Sequence, residues 1–274
     1  MKSFIIGAAI FAAVAALFLV FYDHPFFTSR PETAEVAGQP AEQVSQPPLV
    51  KYPVPQPQPP AQTEAAVEPA PAGQESPAPP AEQDQTLEAR LAGLIPQQNL
   101  FGLLQLDNLI QRFVVTVDSL PEKRVSPHHL PLSPPPGRFM VTGGSISPEN
   151  AKRYRLYLQM IDTLGIERAV SLYVQYYDRF QAAYRDLGYP QGHFNDRFVT
   201  VIDHLLATPA ADTPLQVVQP LLVYQYADPE LEKLSAGQKL LLRIGAENRS
   251  RVESILGELR QRLTTLAEAK PGQD

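Results

Sequence analysis

The chain of 274 residues has no cysteine, no tryptophan and only three methionines. Without cysteine there is no disulfide, no thiolate nucleophile and no paired-cysteine metal site. Neither a glycine-rich phosphate loop nor a serine nucleophile elbow occurs. A charge excess on the folded part is missing as well. The whole chain carries a net charge of −6, and residues 25–85 alone, with eight acidic residues against Arg30 and Lys51, account for −6. The remainder is close to neutral and has no aromatic-basic motif, which argues against a nucleic-acid partner.

What is present begins with an apolar run, Phe4 to Tyr22, that contains no charged side chain. Its 19 residues would form a helix of roughly 28 Å, close to the hydrocarbon thickness of a bilayer. Lys2 precedes the run and Asp23 follows it, which favours a cytoplasmic N-terminus. The rival is a cleaved signal peptide with Ala13-Val14-Ala15 as its small-residue site. The run continues apolar past that point and ends in Phe21 and Tyr22, which favours retention. Residues 1–24 are therefore expected to be a single-pass transmembrane anchor in the inner membrane, with the C-terminal domain in the periplasm. A third arrangement, with the domain cytoplasmic, follows if the single lysine misleads.

Residues 25–85 hold 15 prolines among 61 residues, filled mostly with Ala, Gln and Glu. Proline removes donors and fixes φ, and few large apolar residues remain to build a core. The expectation is a disordered, solvated tether of polyproline character. PxxP-type matches such as Pro57 to Pro60 could dock an aromatic groove, but a spacer is the plainer reading. Residues 86–269 are expected to form one folded domain, and 270–274 a disordered tail.

The domain reads as mainly α. Thr86 to Ile95 is a short amphipathic piece before Pro96, and Gln98 to Leu120 a heavily buried helix closed by Pro121. Ser147-Pro148-Glu149 combines an N-cap, proline at the first helical position and an acid at the positive dipole end. That helix should end at Gly165, and the next should run from Ile166 to Leu187 with Gly188 as its stop. Further helices are expected over Asn195–Ala207, after Asp228-Pro229, over Ser235–Ile244 and over Ala246–Ala267. The last has Val252, Ile255, Leu256, Leu259, Leu263 and Leu266 as its seam, with Glu247–Arg251 and Glu258–Arg262 pairs on its wet face. Arg138 to Thr142 and Leu221 to Tyr226 read as two brief strands.

Four stretches, LIQRFVVTVDSLP (109–121), PHHLPLSPPPGRFMVTG (127–143), AYRDLGYPQGHFNDRFVTVIDHLLATP (183–209) and PLLVYQYADPELEKLSAGQKLLLRIGAEN (220–248), carry a resemblance. Together they resemble the bacterial domain-of-unknown-function family 3014. The resemblance implies an N-terminal span, a variable proline-rich segment and a C-terminal domain; it implies no activity, ligand or catalytic residue.

Three features are candidates for function. His193, Asp196, Thr200, Asp203 and His204 fall on one face at helical spacing, opposite Phe194, Phe198, Val201, Ile202 and Leu205. Imidazole and carboxylate can hold a metal or move protons, so His193, Asp196, Asp203 and His204 are the candidate acid–base or metal face. Their spacing matches no established ligand motif, and such a stripe also suits a solvated face with Asn195 and Asp196 capping the helix. The connection Pro121 to Gly144 carries Lys123, Arg124, His128, His129 and Arg138 among apolar residues. These basic groups suit an anion or a partner; the alternative is a polyproline segment laid across the helices. Tyrosines crowd the helix after 166, and Tyr176 at the margin of its apolar stripe is the one expected to be exposed for a partner.

The reading is a non-enzymatic, membrane-anchored binding or scaffold module that meets another envelope protein or a cell-wall component, without a cofactor or metal. The alternative is an envelope enzyme using the His193/Asp196/Asp203/His204 face.

Overall fold

A computed structural model describes residues 49–55, 80–220 and 223–267. The expected membrane span, most of the expected tether and the tail 270–274 lie outside the described residues. Among those described, no helix is long and apolar enough to cross a membrane.

The domain is built from ten α-helices among the described residues. In chain order they are α1 (Pro80–Leu94), α2 (Gln98–Phe101), α3 (Leu109–Ser119), α4 (Arg155–Leu164), α5 (Ile166–Gln175), α6 (Tyr177–Asp186), α7 (Phe194–Leu206), α8 (Pro229–Glu232), α9 (Ala236–Arg243) and α10 (Ala246–Thr264). Short 3₁₀ turns occupy Pro127–His129 and Pro148–Tyr154. At the centre, α3 packs against α6 and α7, and α10 lies along α7 and α5. The expected seam of α10 faces inward, with Val252, Leu256, Leu259, Leu263 and Leu266 buried and Ile255 half-buried against the core.

The capping chemistry reads well from the sequence. Ser147 Oγ accepts from Glu149 N (3.3 Å), and Asp228 Oδ1 accepts from Glu230 N (2.8 Å). Ser235 and Gln238 form a reciprocal capping box at the start of α9. Gly165 and Gly188 adopt positive φ at the expected stops, which favours glycine there.

Four expectations need correction. The helix expected over Gln98–Leu120 is two helices, because the chain between them pairs elsewhere. Gln105 N donates to Pro131 O (2.8 Å), Ser133 N donates to Leu103 O (2.7 Å), and Asn108 turns the chain at φ 53° into α3. The helix expected over Ile166–Leu187 breaks at Tyr176 (φ −104°, ψ 14°), and Leu187 lies past its end, exposed. Of the helix pairs, Glu258–Arg262 is present (3.5 Å), but Arg251 reaches Asp162 rather than Glu247. Finally, residues 49–55 do not behave as solvated tether, and α1 takes Pro80 to Gln85 from its other end. Tyr52 and Val54 pack on the main core, and Asn195 and Asp196 hydrogen-bond the main chain at 51–52.

The two expected strands are real but shorter, and each pairs with a neighbour that was not anticipated. Strands β1 (Val141–Thr142) and β2 (Ser145–Ile146) form one antiparallel hairpin; β3 (Val217–Val218) and β4 (Gln225–Tyr226) form the other. The two are joined through Ile146 N to Leu215 O (2.9 Å) and Val217 N to Gly144 O (2.8 Å). Beneath them lies a second small core of Leu215, Val217, Tyr226 and Leu242.

The long connection 121–144 is laid across the helices. Val125, Leu130 and Leu132 are buried, and several carbonyls of the segment are taken up by side chains. Arg112 donates to His128 O (2.6 Å), Thr116 to His129 O (2.8 Å) and Tyr157 to Ser133 O (3.1 Å). Arg153 donates to Pro136 O and Gly137 O, both at 3.1 Å. Buried Asn150 brackets Met140, accepting from its N–H (2.9 Å) and donating to its carbonyl (2.6 Å).

Gly237 allows α9 to sit this close to the end of α3 and to α7. A Cβ there would come within 2.6 Å of a Leu205 methyl and 3.2 Å of the Leu120 carbonyl oxygen. Alanine would gain about 1 kcal/mol of helix propensity, while overpacking of this kind costs about 1–3 kcal/mol. Gly237→Ala should therefore lower the stability of the domain by up to about 2 kcal/mol. A urea unfolding midpoint equal to or above that of the unchanged protein would contradict this contact.

Candidate functional site

The helix α7 carries the candidate residues, and its position is set by an aromatic cluster. Phe194 and Phe198 stack (5.9 Å), Phe194 stacks on Phe180 (5.9 Å), and Phe113 meets Phe198 edge-on (5.6 Å). The first helical N–H, that of Phe194, is capped from another helix, since Gln181 Oε1 on α6 accepts it at 2.9 Å. The same amide donates to Gly192 O (2.7 Å), which fixes the turn entering α7. His193 is the N-cap, precedes the first helical residue, and makes no side-chain cap.

The four candidate residues do not converge. Asp196 accepts from Lys51 N (2.9 Å) and Tyr52 N (2.8 Å). Asp203 pairs with Arg260 on α10 at an exposed site. His204 Nε2 lies 2.8 Å from Ser235 Oγ, at the start of α9. Asp196 and Asp203 are two turns apart, about 10 Å along the axis, too far to share one ion. Among the described residues no group of three or more His, Asp and Glu side chains is placed to hold a metal.

His204 is nonetheless perturbed. Burial, with a smaller contribution from the Arg197 charge, holds its pKa below the ordinary value of 6.5. Because Ser235 Oγ accepts from Gln238 N (3.2 Å), its own proton is well placed to donate to a neutral His204 Nε2. The folded state then binds a proton less readily than the unfolded one. That contribution to stability is complete above the unfolded pKa and is lost as pH falls toward the folded pKa.

The residue of this helix that sequence reasoning missed is Asn195, read above only as a cap. It is 0% exposed. Its Oδ1 accepts from Tyr173 OH (3.1 Å), and its Nδ2 donates to Tyr52 O (2.9 Å) and Leu263 O (3.3 Å). One amide thus joins α5, α7, α10 and the segment 49–55. Burial pushes the Tyr173 hydroxyl well above its ordinary pKa, so it stays a neutral donor to Asn195. The signal was in the spacing: Asn195 stands three and seven residues before Phe198 and Ile202, on the apolar face rather than the polar one.

Beside this hub Asp118, near the C-terminal end of α3, accepts from Arg197 Nε (2.7 Å) and from Tyr189 OH (3.2 Å). Tyr189 stacks on Tyr184 (4.6 Å), whose hydroxyl is pushed up to about 12, chiefly by burial.

The other candidates sit elsewhere. Lys123, Arg124 and Arg138 are exposed, and Lys123 Nζ meets the Lys233 carbonyl. Tyr176, at the break between α5 and α6, is buried at 8% exposure rather than exposed for a partner. His128 and His129 are exposed, and it is their carbonyls that bond to α3. Two clefts, of about 320 Å³ beside Ile110 and Arg179 and about 460 Å³ beside Arg155 and Arg251, are lined by none of the candidate residues.

The family model described as "Protein of unknown function (DUF3014)" matches residues 109–260, more than half of the chain. No curated protein and no solved structure matches.

Two outcomes follow for the α7 face. Thermal stability should fall as pH is lowered from 7 to 5.5, and His204→Gln should flatten that slope; parallel slopes in both proteins would count against the assigned neutral histidine. Adding Zn²⁺ or Mn²⁺ should leave the melting temperature unchanged, since Asp196, Asp203 and His204 face different partners.

Proposed function

For this chain, which belongs to the domain-of-unknown-function family 3014, we propose a membrane-anchored binding or scaffold module of the cell envelope. One observation carries the binding part. The helical domain holds a short, proline-containing peptide segment, residues 49–55, by hydrogen bonds to its main chain and by packing the half-buried Tyr52 and Val54 on the core. Recognition of this type reads the backbone for affinity and a few side chains for specificity. It requires no reacting group, and the polar residues of α7 are engaged in holding structure.

The anchoring part rests on the Phe4–Tyr22 run, and the periplasmic side on Lys2 before it. A proline-rich spacer is useful where a domain must meet something away from its own membrane. The partner class we favour is therefore another envelope protein or a cell-wall component.

Photo-crosslinkers placed at exposed positions of the domain in the full-length chain, in living cells, test this. The expected result is a discrete crosslinked species from intact envelopes that is lost when the domain is deleted. A featureless pattern at every position would remove the binding-module reading. A protease-protection assay on spheroplasts reads the side of the membrane separately: digestion of the domain from outside supports the periplasmic placement, and full protection overturns it.

A further inference from the structure

The segment Leu49 to Pro55 has a place on the domain that its composition does not lead one to expect. Within the proline-rich region it is the densest apolar patch, with Leu49, Val50, Tyr52 and Val54 inside six positions. It meets the domain at the first turn of α7. There the Asp196 carboxylate accepts from two successive main-chain N–H groups, those of Lys51 (2.9 Å) and Tyr52 (2.8 Å). Asn195, fully buried, donates Nδ2 to the Tyr52 carbonyl (2.9 Å). Both main-chain polar groups of Tyr52 are thereby satisfied by the domain, and the Lys51 N–H with them. Side chains on either side of Pro53 supply the rest, Tyr52 and Val54 packing on the core. Pro53, which has no N–H to satisfy, sits between them. Leu49, by contrast, is 95% exposed, so the contact ends abruptly on that side.

We infer that the N-terminal edge of α7, with Asn195 and Asp196 as its main-chain clamp, is a peptide-docking site whose occupant is residues 49–55 of the same chain. The inference deepens the binding-module reading by naming what this site takes: a short irregular segment with an aromatic residue directly before proline. Docking in cis is favoured by connectivity. Only 24 residues separate Pro55 from Pro80 at the start of α1. A connection of that length holds a segment at an effective concentration near the millimolar range. Even weak intrinsic affinity then keeps the site occupied, and an external peptide must compete with the resident one.

The consequence is control of reach. With the segment docked, 26 residues separate Tyr22 from Leu49, and a fully drawn-out chain of that length spans at most about 95 Å. Released, the 57 residues between Tyr22 and Pro80 raise that upper limit to about 200 Å. Undocking therefore about doubles the distance at which the domain can work from an anchor at Phe4–Tyr22.

The absence of cysteine makes the test direct, because introduced cysteines carry the only labels. Spin labels on Leu49→Cys and Ala207→Cys, both exposed positions, span α7 from the docked segment to its far end. In the full-length chain, pulsed electron paramagnetic resonance should give one narrow distance distribution. Tyr52→Ala, which leaves the domain untouched, and Asp196→Ala, at its surface, should each broaden the distribution and move it to longer distance. Diluting the doubly labelled chain tenfold into unlabelled chain should change nothing. A broad distribution in the unchanged chain, or a narrow one persisting in both variants, overturns the proposal. Loss of the short distance on dilution means that a second copy supplies the segment, and overturns docking in cis. The measurement concerns the segment alone, so its outcome is separate from whether crosslinking finds an envelope partner.

Discussion

The constraint on which this structure depends is the pairing of backbone carbonyls in chain that forms neither helix nor sheet. Proline-rich segments are short of N–H donors but keep every acceptor, so they cannot satisfy one another. When such a segment is laid over a core, the donors must come from elsewhere, and here side chains supply many of them. Arg112, Thr116, Arg153 and Tyr157 do this for the 121–144 connection, and Asn150 brackets it at Met140. Asn195 does it for the Tyr52 carbonyl, while the Asp196 carboxylate takes up the Lys51 and Tyr52 N–H groups. The helices are thus a donor-bearing scaffold on which irregular chain is seated. Leaving one such carbonyl buried and unpaired would cost about 1–3 kcal/mol.

The two buried asparagines differ in what they join. Asn150 acts locally, between a 3₁₀ turn and a residue ten positions away. Asn195 acts across the molecule, because its amide meets Tyr173 on α5, Leu263 on α10 and Tyr52 outside the helices. Tyr173 in turn lies within the aromatic cluster, 5.2 Å from Phe180 and 5.9 Å from Phe198. The docked segment therefore bears on a hydrogen bond that continues directly into the packing of the core. That continuity distinguishes it from a chain end resting on a surface, where contacts would stop at exposed side chains.

How much of this was legible follows from what each signal depends on. Caps and glycine stops depend on neighbours within four residues, and Ser147, Asp228, Ser235, Gly165 and Gly188 act as read. The apolar face of α7 was legible for the same reason, through periodicity. The break between α2 and α3 was not, since it exists because Leu103 and Gln105 bond to residues near 131–133. The break at Tyr176 likewise leaves no local mark, there being neither proline nor glycine in 166–187. The polar face of α7 misled in a more instructive way. Its residues have the right types for chemistry, but Asp196, Asp203 and His204 are claimed by the 51–52 main chain, by Arg260 and by Ser235. A stripe records which side of a helix is polar, and the partners that decide its use come from distant sequence.

The proline-rich region shows the same limit from the other direction. Average composition over 61 residues is set by the many prolines, glutamines and alanines, and it hides a cluster of four apolar residues in six. Burying a tyrosine ring and a valine yields hydrophobic stabilisation of a few kcal/mol at most, which cannot fold a free segment against its chain entropy. The same gain suffices to seat a short segment on a surface that is already ordered, because only its own few residues must be fixed. Disorder inferred from composition is therefore a statement about a segment that folds alone. A folded domain that offers a carboxylate to two N–H groups and an amide to the carbonyl that follows them changes that balance for the few residues it can reach.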